Sequence, residues 1–163
     1  MLVEFSHFNV RSLKTSFDLF SAAIEDLSLD VVGLSETWLS SDISDTSFHI
    51  ENYVLKRRDR SGRGGGVAFY VKNTIKFKVI DDITGPNDVL EQLWISLKCN
   101  GKRVCLGTVY RPPNSNLNEC IQILENTLTN IIPEYDYLAF GGDIKVDLTP
   151  DNRNNSTALF LIF

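Results

Sequence analysis

Apolar residues along this chain fall in short runs separated by polar, glycine- and proline-bearing breaks, the pattern of strands interleaved with a few helices. Leu2–Val10 carries Val3, Phe5, Phe8 and Val10 in an imperfect alternation suited to a strand covered on both faces. Phe17, Phe20, Ile24 and Leu27 then recur at helical spacing, with Thr15 or Ser16 placed to cap the helix. Asp30–Glu36 holds the continuous V-V-G-L core of a buried parallel neighbour, so the opening reads as a strand–helix–strand unit with a right-handed crossover. A Ser/Asp-rich loop containing His49 follows.

Gly64-Gly65-Gly66 opens the next strand, Val67–Val71. Ile75, Phe77 and Val79 alternate with Lys76 and Lys78, which leaves one face of that segment wet. A turn through Gly85-Pro86-Asn87 leads to a strand over Leu93–Lys98. Asn100-Gly101 is a hairpin signal into Arg103–Tyr110, which Arg111-Pro112-Pro113 stops. Leu117, Ile121, Leu124, Leu128 and Ile131 mark an amphipathic helix ending near Pro133, and Tyr135–Asp143 reads as a strand broken on two glycines. The tail, Asn154–Phe163, begins like a helix and closes on five apolar residues with no later segment to pack against. The expectation is a truncated domain.

Length and composition narrow this further. One hundred and sixty-three residues at 43% hydrophobic content suffice for a single domain over 1–163, with no linker or repeat. A net charge of -5 excludes a generally basic nucleic-acid coat but leaves room for a local basic face. Lys56, Arg57, Arg58, Arg60 and Arg63 set five cations against one acid, and form either a solvated loop or a contact strip for nucleic-acid phosphates. Cys99, Cys105 and Cys120 form no C-x-x-C pair, which indicates neither a disulfide partner nor a zinc site. Reduced thiols, and an N-terminus with an acid and a histidine where a signal peptide needs an apolar run, point to a nuclear or cytoplasmic protein. Secretion is not expected, and no segment is long enough to span a membrane.

The candidate chemistry sits at strand ends. Glu36 and Asp143 each close a buried strand, where ligands collect in α/β sheets. Either alone reads as a solvated acid in a turn. Together they are a minimal oxygen set for Mg²⁺, which keeps several waters. Asn9 is a turn residue or an orienting amide, and Tyr110 is either a half-buried rim aromatic or a site group. The glycine-rich R-S-G-R-G-G-G lacks the Gly-Lys-Ser/Thr ending of a phosphate loop and precedes a strand, so a Walker-type site is rejected. His7 reads as a satisfied core or rim histidine, and His49 has no evident partner. No nucleophile elbow or Cys–His arrangement supports acyl chemistry.

Five segments in one order carry a resemblance: F-N-V-R-S-L (Phe8–Leu13), L-S-E-T-W-L (Leu34–Leu39), R-D-R-S-G-R-G-G-G-V-A-F-Y-V (Arg58–Val71), V-Y-R-P-P (Val109–Pro113) and G-G-D-I-K-V-D-L (Gly141–Leu148). Together they resemble the endonuclease/exonuclease/phosphatase superfamily, in the branch carried by non-LTR retrotransposons of the jockey and LINE type. The resemblance implies a four-layer α/β sandwich, two packed sheets flanked by helices, that cleaves phosphodiester bonds of DNA with Mg²⁺ or Mn²⁺. It makes Glu36 the principal metal ligand, Asn9 a metal- or phosphate-site residue, Tyr110 the contact to the scissile phosphate and Asp143 the group that positions the attacking water. Arg57, Arg58, Arg60 and Arg63 are the expected nucleic-acid contacts, an expectation that comes from charge and not from the resemblance.

Two departures from the family pattern count against activity. Lys145 stands where the family has an asparagine, and a closing S-D-H motif is absent from these residues. The expectation is therefore little or no cleavage by this chain. The alternative is a non-catalytic remnant that binds nucleic acid through Lys56–Arg63, or a partner through the apolar tail. The phosphatase branch of the superfamily is a third reading, opposed by the R-D-R-S-G-R-G-G-G and V-Y-R-P-P segments.

Overall fold

The computed structural model describes residues 3–81 and 88–144, together with the backbone of residues 161–162. Two sheets lie face to face. The first has the order β1-β2-β4-β3: β1 (Phe5–Asn9), β2 (Val31–Ser35), β3 (Tyr53–Arg58) and β4 (Val67–Lys72). The second has the order β5-β6-β7-β8-β9: β5 (Phe77–Val79), β6 (Glu91–Cys99), β7 (Lys102–Tyr110), β8 (Tyr137–Asp143) and β9 (Leu161–Ile162). Each sheet contains one parallel pair joined through a helix. Helix α1 (Leu13–Leu27) connects β1 to β2, and α2 (Leu117–Ile131) connects β7 to β8. All other pairings are antiparallel.

Strand alternation sorts the core into layers. Val31 on β2, Val67, Phe69 and Val71 on β4, and Leu93, Ile95, Leu106 and Tyr110 of the second sheet meet between the sheets. Val32 and Leu34 point the other way and bury Leu13, Phe20 and Ile24 of α1. Trp94, Cys105, Val109, Leu138 and Phe140 do the same for Cys120 and Ile131 of α2. The result is the four-layer sandwich expected.

Several local readings need correction. Helix α1 starts at Leu13, earlier than a cap at Thr15 or Ser16 allows, and those two hydroxyls instead donate to the Ser12 carbonyl. Leu13 joins Phe20 and Ile24 in the buried stripe at the helix start, while Leu27, the last helical residue, is 54% exposed. Ile121 of α2 is likewise exposed, and Cys120 and Thr127 take the core positions. Ile75 lies in the turn before β5, not in the strand, yet remains buried. The hairpin at Asn100-Gly101 forms as read, both residues adopting positive φ (50° and 79°). Leu161–Ile162 of the tail pairs along β8, so that part of the apolar run extends the second sheet. The turn at Gly85–Asn87, position Lys145 and the helix start at Asn154 lie outside the described residues.

One glycine is dictated by packing. Gly107 faces Trp94 across the β6–β7 ladder, and a Cβ there would sit within 2.4 Å of the indole. That indole stacks toward Phe140 and donates to Gln92 Oε1 at 2.9 Å, while Gln92 Nε2 reaches Thr127 Oγ1 of α2. Gly107→Ala is therefore expected to destabilise the chain by about 1–3 kcal/mol, through overpacking and a displaced buried hydrogen-bond chain. A urea-unfolding midpoint unchanged from the parent would refute that account.

Candidate active site

The four strand ends of the two parallel pairs meet on one rim. Asn9 closes β1 and Glu36 follows β2; Tyr110 closes β7 and Asp143 closes β8. Within each pair the ends are in register, Asn9 opposite Ser35 and Tyr110 opposite Asp143. Phe5 and, two residues on in each step, His7 and Asn9 share the face turned toward the second sheet, so Asn9 crosses the gap between the sheets. Its Nδ2 donates to Glu36 Oε1 at 2.9 Å and to Asp143 Oδ2 at 3.0 Å. One amide thus holds both carboxylates, and those two oxygens lie no more than about 6 Å apart. The amide is itself oriented by Arg11 N–H, which donates to Asn9 Oδ1 at 3.2 Å. Tyr110 is hydrogen-bonded through its phenol to Glu36.

The backbone beneath Glu36 is clamped from two sides. The first free N–H groups of α1, those of Ser12 and Leu13, donate to the carbonyls of Glu36 and Thr37, each at 2.8 Å. From the other side Thr37 N and Trp38 N donate to the carbonyls of Gly66 and Gly65, at 3.2 and 2.8 Å. Gly66 has φ +88°, and a Cβ on it would lie 2.3 Å from Thr37 Oγ1, so only glycine allows this approach. Arg11, Ser12, Glu36 and Trp38 all adopt left-handed backbone (φ 42°, 85°, 56° and 54°). Such strain persists only where surrounding contacts over-determine it, and it clusters at working sites.

A third carboxylate escaped the sequence reading. Glu91 opens β6 opposite Tyr110, is 3% exposed, accepts from Gly66 N–H and pairs with Arg60 Nε at 3.6 Å. Burial pushes its carboxyl up to about 7, opposed by the Gly66 N–H and Arg60 and assisted by the charge of Glu36. The signal present in V-L-E-Q-L-W-I was an acid inside an otherwise apolar run. Burial also raises the Tyr110 phenol, as do the carboxylates of Glu36, Glu91 and Asp143, so it stays protonated and able to donate. His7, half-buried on the face of β1 turned toward the second sheet, is lowered to about 4 by desolvation and is neutral at physiological pH.

The basic strip divides. Arg57, expected from the sequence to be a DNA contact, has its guanidinium engaged inside the fold. It bonds Asp45 Oδ1 at 2.6 Å, Asp59 Oδ2 at 2.7 Å and the carbonyls of Ser40 and Ile43, bracing the loop before β3. Arg58 is half-buried against the Gln92 carbonyl. Arg60 lies over Gly65 beside the acid cluster, and Lys56 is exposed.

The donor set fits a hard divalent cation. It offers carboxylate and amide oxygens with no thiolate, and buried carboxylates crowded on one rim favour a counter-charge. Among the described residues no group of three His, Cys, Asp or Glu forms a preformed cage. Glu36 and Asp143 would hold such a cation with water in the remaining positions, the habit of Mg²⁺.

The sequence profile of the Endonuclease/Exonuclease/phosphatase family matches residues 6–144, from β1 to just past Asp143. The chain belongs to this family. Members hydrolyse phosphodiester or phosphate esters. The fold is similar to the endonuclease domain of TRAS1, a telomere-specific non-LTR retrotransposon (TM-score 0.67, 12% identity, 87% of this chain and 58% of that one). It is also similar to TDP2 of D. rerio complexed with single-strand DNA product (TM-score 0.65, 17% identity, 89% and 61%). A third similar fold is a mannosyl-6-phosphatase of Bacteroides thetaiotaomicron (TM-score 0.67, 13% identity, 90% and 66%). The chain thus spans 58–66% of the length of these three family structures. No curated protein sequence matches it significantly. Among the described residues no helix is long and apolar enough to cross a membrane.

Proposed function

We propose that this chain carries the cation- and phosphate-binding half of a Mg²⁺-dependent DNA phosphodiesterase of the retrotransposon endonuclease type. The observation that carries the reading is the Asn9 amide joining Glu36 to Asp143 across two sheets, with Tyr110 bonded to Glu36. A cation bound there supplies charge neutralisation at the phosphoryl oxygens and lowers the pKa of bound water. Asn9 fixes the spacing of the two carboxylates. Tyr110, held protonated, donates toward a phosphate oxygen, and Asp143 orients a water for in-line attack. Arg60 and Arg63 border the path of the DNA backbone.

By this reading the 163 residues bind cation and DNA but nick poorly, because Lys145 replaces the family asparagine. The test is supercoiled-plasmid nicking in Mg²⁺, in Mn²⁺ and in chelator, for the parent and Glu36→Ala. The expected parent rate is close to background. Fast, chelator-sensitive nicking abolished by Glu36→Ala would establish a competent enzyme and overturn the expected weakness. Fast nicking insensitive to both would overturn the site.

A further inference from the structure

We infer that Trp38 is a stacking platform for an unpaired DNA base next to the scissile phosphate, an inference that rests on the reading of the site just given. Trp38 is 45% exposed, while its neighbours Thr37 and Leu39 are 0% and 1% exposed. The indole is therefore turned outward from a segment anchored on both sides. Its backbone is fixed by the bond to the Gly65 carbonyl and held at φ 54°, and its Nε1 lies beside Gly64. A large aromatic presented this rigidly loses little freedom when a flat ligand covers it.

Position names the ligand. Trp38 stands two residues beyond Glu36, on the rim where Asn9, Tyr110 and Asp143 converge. The loop it leans on carries Arg60 and Arg63, while that loop's one acid, Asp59, is already paired with Arg57. An exposed aromatic whose adjoining loop carries arginines is the recognition kit of single-stranded nucleic acid, a base on the ring and phosphates on the cations, Arg63 being exposed and Arg60 shared with Glu91. A protein partner would want a contiguous apolar patch. Here the indole edge lies beside Gly64, and the other exposed apolar side chains are scattered, among them Leu19 and Leu27 on α1, Ile121 on α2, and Phe8 on β1, whose ring is edge-on to Phe20.

The second tryptophan, Trp94, is 0% exposed, so a change in tryptophan emission on adding DNA reports Trp38. The experiment titrates the 163-residue chain with a short fluorescein-labelled single-stranded oligonucleotide, first in chelator and then in Mg²⁺, with the thermal response to Mg²⁺ recorded for each variant. Protein emission and label anisotropy are followed for parent, Trp38→Phe, Trp38→Leu and Glu36→Gln, each checked for fold by circular dichroism. The expected result is salt-sensitive quenching of the parent and an affinity about tenfold weaker for Trp38→Leu. Trp38→Phe should recover most of that affinity, and duplex of the same sequence should quench less. Unchanged affinity of a folded Trp38→Leu would overturn the inference. So would a Trp38-dependent dimer in sedimentation with DNA binding unaffected. Should Glu36→Gln keep its full response to Mg²⁺ while Trp38 still quenches, the cation reading fails and the stacking stands; the reverse pattern removes the stacking alone.

Discussion

Glu36→Gln is expected to abolish the stabilisation that Mg²⁺ confers on this chain while leaving the cation-free protein as stable as the parent, or slightly more so. Glu36 is 9% exposed and shares a rim with Asp143, Glu91 and Tyr110, and the raised protonation of Glu91 and Tyr110 already registers the crowding of negative charge. In the absence of a cation those charges repel, and removing one relieves the cluster. Glutamine keeps an oxygen for Asn9 Nδ2 and nearly the same volume, so packing is preserved. A cation that binds only the folded state adds about 1.4 kcal/mol at ten times its dissociation constant. For a chain of this length that is roughly a 3–6 °C rise in melting temperature. Thermal melts with and without 10-fold-stepped Mg²⁺ give the comparison. An equal rise in parent and Glu36→Gln would place the cation elsewhere, and a cation-free Glu36→Gln far less stable than the parent would make Glu36 a structural residue.

The second large effect is a pair of opposite pH dependences. The folded Glu91 carboxyl, at about 7, lies above its ordinary 4.5 because burial disfavours its charge. The folded state therefore holds a proton that the unfolded chain releases, and this contribution is full below pH 4.5 and lost as pH rises through 7. His7, at about 4 against an ordinary 6.5, behaves inversely: its contribution is full above pH 6.5 and lost as pH falls through 4. Each shift corresponds to about 3 kcal/mol at most. Between pH 4.5 and 6.5 the two slopes oppose each other in the parent. Relative to the parent, Glu91→Gln should gain stability as pH rises from 4.5 to 6.5, exposing the His7 slope. His7→Leu should lose stability over the same range, exposing the Glu91 slope. Urea unfolding in chelator at three pH values decides the matter, since every other titrating group is common to the three proteins. Parallel profiles for parent and both variants would refute the assignment.

How much of this was legible in the residues follows a physical line. The paired carboxylates could be read because strand ends are local features: a buried apolar run, a break, then an acid, as in Val31–Glu36 and Tyr137–Asp143. Asn9 and Tyr110 drew attention for the same reason, though only the resemblance gave them roles. What stayed hidden is set by partners distant in sequence. Glu91 becomes a site group because β6 pairs with the strand ending at Tyr110, and because Gly66 approaches from the other sheet. Arg57 looked like its cationic neighbours until Asp45 and two carbonyls of the preceding loop enclosed it. Leu27 kept helical spacing with Phe20 and Ile24, yet it is the last residue of α1 and is exposed, while Leu13 at the other end joined the core.

The bond from Asn9 to Asp143 spans 134 positions of the chain. Contacts of that separation form late, since the intervening chain must first lose its freedom. During synthesis, strands β1 to β4 can assemble as a sheet while the acid of β8 has yet to be made. A nascent chain ending before Asp143 has the amide and Glu36 but no second carboxylate for that amide to hold. The centre therefore forms only once both sheets have met.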